Sequence, residues 1–131
     1  MSRKSPYANL YHRLIANTHE PENDQACWVW KRRLGNGAYA RFDVYIPGLL
    51  GNVSIQAHIA LWIWLETQPE SIDDFYLYYR EFTISRLELD HLCNNPPCIN
   101  PDHMDPVTGA VNSQRRDQRN GGRSRRNYGR A

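Results

Sequence analysis

With 131 residues and a net charge of +2, the chain is expected to form one domain with a real but modest core. It has no run of about 18 apolar residues and no leader-like apolar segment at the N-terminus, which predicts a soluble, intracellular protein with no membrane partner. Three cysteines are an odd count, and in such a chain metal ligation is favoured over a disulfide framework. Residues 1–112 carry a charge of −4, whereas the last nineteen residues hold seven arginines and only Asp117, giving +6. A basic tail on an acidic body points to a polyanionic partner, and guanidinium groups match phosphate bidentately.

Residues 7–17 (YANLYHRLIAN) place Leu10, Tyr11, Leu14 and Ile15 at helical spacing and predict a short amphipathic helix. The polar residues 18–25 form a linker. From Cys27, CWVWKRR alternates, Gly35-Asn36-Gly37 supplies a turn, and AYARFDVYI follows, which predicts a β-hairpin. A further turn over Pro47–Asn52 leads into a short strand, VSIQA, and residues 57–66 (AHIALWIWLE) are apolar almost all round, as in a buried helix. In residues 67–85, TQPESIDD reads as a loop and FYLYYREFTI fits either a strand or a helix. ISRLELDH alternates as a strand leading to His91. CNNPPCINPDH holds three prolines and excludes regular structure. MDPVT is at most a short strand, Thr108 caps a helix predicted over Gly109–Arg119, and the stretch past Gly121-Gly122 is a basic tail with no core of its own.

The segment Leu89–Asn112 concentrates the chemistry. Cys93, Cys98 and His103 lie in a Pro-rich loop that has no hydrogen-bond ladder to rigidify it, and a tetrahedral zinc ion would supply that rigidity. Cys27 is the remaining cysteine and completes the set; the alternatives are a buried free thiol at Cys27, or His91 ligating in its place. Asp90 and Asn112 offer hard oxygens suited to one Mg²⁺ or Mn²⁺, and His91, left off the metal, is suited to act as a general base. Asp90 paired with an arginine, or Asn112 as a plain polar residue of a helix first turn, are the bland alternatives. As neighbours on a strand, Asp90 and His91 face opposite ways unless the chain bends there.

The run DHLCNNPPCINPDHMDPVTGAVN resembles the HNH, or ββα-metal (His-Me finger), endonucleases. It is most similar to the phage and intron-encoded branch with the pattern DH-x-C-x4-CxNPxHL-x2-VT-x3-N, and similar also to the His-Cys box homing endonucleases. CWVWKRRLGNGAYARF and QAHIALW extend the resemblance weakly over residues 7–120; the specific motif covers residues 89–112. The resemblance implies an α+β nuclease domain over residues 1–120, with a zinc-stapled ββα-metal core at about 86–120 and a basic tail at 121–131. It implies Mg²⁺-dependent hydrolysis of double-stranded DNA to 5′-phosphate and 3′-hydroxyl ends. His91 would be the base, Asp90 and Asn112 would hold the cation, and Cys27, Cys93, Cys98 and His103 would hold zinc. Asn100 matches the middle Asn of the motif and would brace the loop or orient His91. Arg41 matches an arginine expected on phosphate, and Arg115, Arg116, Arg119, Arg123, Arg125 and Arg126 would extend the nucleic-acid footprint. The implied setting is a phage or mobile-element homing or nicking enzyme, monomer or homodimer, in the host cytoplasm. The chain departs from the pattern where AHR becomes Ala57-His58-Ile59, in a longer link from Glu66 to Leu89, and in lacking cysteines for a second zinc. His58, on an apolar helix, reads as a satisfied core histidine, with catalytic support as the alternative.

Overall fold

A helix that is apolar on almost every face can sit only at the centre of a small domain, and the rest of the chain packs around it. The computed structural model describes residues 6–119, with side chains from Leu10 onward. Its elements are α1 (Pro6–Ala16), β1 (Arg41–Ile46), β2 (Gly51–Gln56), α2 (Ala57–Thr67), α3 (Ile72–Ile84), β3 (Leu87–His91), β4 (Met104–Thr108) and α4 (Gly109–Arg119). This is a small mixed α+β domain with two separate antiparallel two-stranded sheets. Ala57, Ile59, Ala60, Leu61 and Ile63 of α2 are buried, and α1, α3 and β2 pack against that helix. Leu10 and Leu14 of α1 close one side, and β1 sends Phe42, Val44 and Ile46 inward while Asp43 and Tyr45 face out. Among the described residues, no helix is long and apolar enough to cross a membrane.

The ambiguous FYLYYREFTI stretch is helical. Ser71 Oγ accepts the Asp74 N–H at 3.0 Å, and Asp73 and Asp74 occupy the first turn, where the helix dipole favours negative charge. Ile72, Phe75, Tyr79 and Phe82 then recur at helical spacing and are buried. The helix therefore begins inside the predicted loop TQPESIDD. It also runs on to Ile84, so β3 starts only at Leu87, after Arg86 turns the chain with φ 71°.

The predicted hairpin between CWVWKRR and AYARFDVYI does not form. β1 pairs instead with β2, Val44 opposite Val53, across a turn at Pro47–Leu50 in which Leu50 is left-handed with φ 54°. The Gly35–Gly37 turn closes only one bridge, Leu34 to Ala40. The reason lies in what Trp28–Trp30 pair with. Trp30 N–H donates to the Pro97 carbonyl at 3.0 Å, Ile99 N–H to the Trp28 carbonyl at 2.8 Å, and His19 N–H to the Val29 carbonyl at 2.8 Å. Backbone groups spent on the cysteine loop and on residues 18–19 are not free for a hairpin.

β3 and β4 pair with His91 opposite Met104 and Leu89 opposite Pro106. Proline is tolerated there because each strand of a two-stranded sheet has a free edge. Thr108 Oγ1 accepts the Val111 N–H at 3.2 Å and starts α4, which lies along both strands. The tail at 121–131, with Arg123, Arg125 and Arg126, lies outside the described residues.

Candidate metal centre and active site

Cys27, Cys93, Cys98 and His103 offer four ligand atoms that all lie within 4.8 Å of one another, close enough to hold a metal ion. Cys27 thus belongs to the set, and His91 does not. In a tetrahedral zinc site, bond lengths of about 2.3 Å to sulfur and 2.0–2.1 Å to nitrogen put N and S about 3.6 Å apart. His103 Nδ1 lies 3.5 Å from Cys98 Sγ and 3.7 Å from Cys27 Sγ. His103 Nε2 donates to the Gln25 carbonyl at 2.7 Å, which leaves Nδ1 as the ligand atom. The Asn100 N–H points at Cys98 Sγ at 3.4 Å. Burial pushes the Cys98 thiol up to about 12 and raises Cys93. At Cys27 the same effect of burial is outweighed by hydrogen bonds from Asn95, Cys93, Cys98 and His103, and its pKa falls. A metal ion in this pocket would supply the positive charge that three packed thiolates need.

Asn100, fully buried, is a brace and not a partner of His91. Its Nδ2 donates to the carbonyls of Asp24 (3.1 Å) and Ala26 (2.8 Å), and its Oδ1 accepts the Asp102 N–H at 2.9 Å. It therefore ties the polar stretch before Cys27 to the loop that carries Cys98 and His103.

His91 ends β3, and the chain turns at once: Asn94 N–H donates to the His91 carbonyl, and Asn94 is left-handed with φ 57°. His91 Nε2 lies 3.0 Å from the Cys98 carbonyl. A carbonyl only accepts, so Nε2 carries the proton of the neutral ring and Nδ1 keeps the lone pair. Burial, helped by Arg119, lowers the His91 pKa against the opposing pull of the Cys98 carbonyl, Asp90 and the Pro96 carbonyl, which favours the neutral ring. Asp90, His91 and Asn112 all border a cavity of about 120 Å³, together with Arg116 and Arg119.

Asp90 is buried, and its Oδ2 accepts from Arg115 at 3.1 Å and Arg119 at 2.8 Å. Burial alone would raise its pKa; the two guanidinium groups outweigh burial and hold the carboxyl below its usual range. Oδ1 takes no part in these bonds. Asn112 Nδ2 donates to Glu88 Oε1 at 2.7 Å.

Comparison with family models, curated proteins and solved structures finds no match to this chain. The remaining assignments rest on geometry alone. Arg115 also binds Asp105 at 2.7 Å, so Arg115 and Arg119 are engaged with acids of the ββα unit. Arg116 donates to Ser113 at 3.0 Å, while its buried Nε has no partner among the described residues. Arg41 lies on the other sheet, bonded to Ser54.

Two residues that the sequence did not single out, Glu88 and Tyr39, adjoin these side chains, as does His58. Glu88 orients Asn112; as the residue two before Asp90 on a strand, it shares Asp90's face, and that spacing was a readable signal. Tyr39 lies 5.4 Å, ring to ring, from both His58 and His91. His58 is buried 4.7 Å from His91, and it is not the satisfied core histidine expected, because its Nδ1 lacks a partner among the described residues. Burial, then His91, then Arg41 push its pKa down to about 3.

Proposed function

We propose that this protein is a divalent-metal-dependent DNA endonuclease of HNH type, with a structural zinc on Cys27, Cys93, Cys98 and His103. The observation that carries the reading is the setting of His91: a neutral imidazole, tautomer fixed by the Cys98 carbonyl, bordering one cavity with Asp90 and Asn112. A base held by the metal-binding loop and kept off the metal is what hydrolysis of a phosphodiester needs. His91 Nδ1 takes the proton of the attacking water, the water oxygen bonds to phosphorus, the bond to the 3′ oxygen breaks, and that oxygen takes up a proton from solvent. The products are a 5′-phosphate and a 3′-hydroxyl. Asp90 and Asn112 would hold a divalent cation, which would supply positive charge to offset the charge that builds up on the phosphate. Arg116 borders the same cavity and can pair with the phosphate.

A second reading is favoured by one observation: Asp90 already has two arginine partners and so does not need a cation. On that reading the protein is a zinc-stapled nucleic-acid-binding module without catalysis. Incubation with supercoiled plasmid, with and without Mg²⁺, separates the two. Nicking that requires Mg²⁺ is the expected result; binding without nicking under any divalent cation would favour the module. Linear duplex and RNA substrates in parallel identify the polymer cut.

A further inference from the structure

A separate cavity of about 320 Å³ lies beside the one that His91 borders, and Tyr39, Leu89 and Asn112 line both. The two differ in charge. Arg116 and Arg119 line the cavity at His91, whereas no lysine or arginine lines the larger one, where Glu88 is the only acid. A phosphate therefore favours the smaller cavity and finds no counter-charge in the larger. The larger one offers instead an apolar wall of Ile59, Phe82 and Leu89, the half-buried Tyr39 ring, and the side chains of Gln56 and Glu88. That combination suits a flat, uncharged heteroaromatic ring, with apolar and aromatic surface for its faces and hydrogen-bonding groups for its edge. His58 lines this cavity too. It is 3% exposed and its Nδ1 has no partner among the described residues, so a ligand that bonds to it recovers a hydrogen bond otherwise lost.

We propose that this cavity takes one unstacked base of the substrate strand, while the phosphate of the same nucleotide sits in the smaller cavity beside His91. The proposal rests on the nuclease reading and names what gives that activity a sequence preference. The His58 and His91 rings are 4.7 Å apart, so the two sites are one nucleotide apart and not several. The Glu88 carboxylate accepts hydrogen bonds, and it favours the exocyclic amino group of adenine or cytosine, which thymine lacks.

The test is titration of the full chain with dAMP, dCMP, dTMP and 2-deoxyribose 5-phosphate, followed by amide and imidazole chemical shifts without added Mg²⁺. The signals of Gln56, His58, Thr83 and Glu88 should move with dAMP and dCMP, which should bind about tenfold more tightly than the base-free sugar phosphate, with dTMP between. Thr83 lines the cavity at an exposed position of α3, and Thr83→Trp fills it. This variant, with unchanged circular dichroism, should bind dAMP no better than the sugar phosphate. Mapped along plasmid DNA, wild-type nicks should favour A or C about threefold or more at one position beside the cut, and Thr83→Trp should lose that preference. Equal binding of all four compounds, or shifts confined to residues around His91, would overturn the base site. Equal binding of the three nucleotides, all tighter than the sugar phosphate, would keep the site and overturn the amino preference. Base-dependent shifts in a protein that nicks no substrate would keep the site and overturn the catalytic reading. Nicking without base-dependent shifts or base preference would overturn the site and leave the nuclease reading standing.

Discussion

The Cys98 carbonyl decides which nitrogen of His91 carries the proton, and Glu88 plays the corresponding part for Asn112. If Glu88 presents the Asn112 carbonyl to the cation, Glu88→Ala should raise the Mg²⁺ concentration for half-maximal nicking about tenfold while leaving the rate at saturating Mg²⁺ within a few-fold. A Mg²⁺ titration checks this, and an unshifted curve would remove Glu88 from the site. His58 sets a pH dependence. An unfolded chain binds a proton on this ring below about pH 6.5, whereas the folded chain resists until about 3, so stability is full above 6.5 and falls as the pH drops. Between pH 7 and pH 5 His58 should account for about 2 kcal/mol of lost stability, and His58→Leu should show a flatter acid limb in denaturant titrations. Asp90 acts in the same direction at lower pH: its depressed pKa contributes stability above the ordinary carboxylate range that is lost on acidification.

Secondary elements were legible where one local signal governed them. Thr108 marked the start of α4, and the all-apolar run at residues 57–66 marked α2. The hairpin expectation failed because CWVW carries the alternation of a strand while its backbone is claimed by Pro97 and Ile99, far away in sequence. Periodicity reports which side chains are buried, not which strand the backbone meets. The cysteine set was legible from residue type and spacing, whereas Gln25 and Asp24, which hold His103 and Asn100 through carbonyls, left no trace in side-chain identity. The same pairing yields a prediction. Removing the metal, or Cys27→Ser, should speed amide exchange at Trp30, Ile99 and His103 while amides of α2 and α3 stay protected. Uniform loss of protection would instead make the metal part of the global core.

At the scale of the whole molecule, the fold sets two surfaces side by side: the ββα unit with its acids and arginines, and the β1–β2 hairpin with Arg33 and Arg41. Tyr39 stands between them. With about five phosphates neutralised, duplex binding by the full chain should show a log–log salt slope of roughly −4 to −5, and a slope near zero would contradict a backbone-tracking mode. The central claim is that His91 does the chemistry and the Cys/His cluster only holds it in place. The most direct measurement is Mg²⁺-dependent nicking of supercoiled plasmid by His91→Ala, with zinc content determined on the same sample. The account predicts a rate lower by about 10²- to 10⁴-fold with the zinc content of wild type; nicking at the wild-type rate, or zinc lost along with activity, would contradict it.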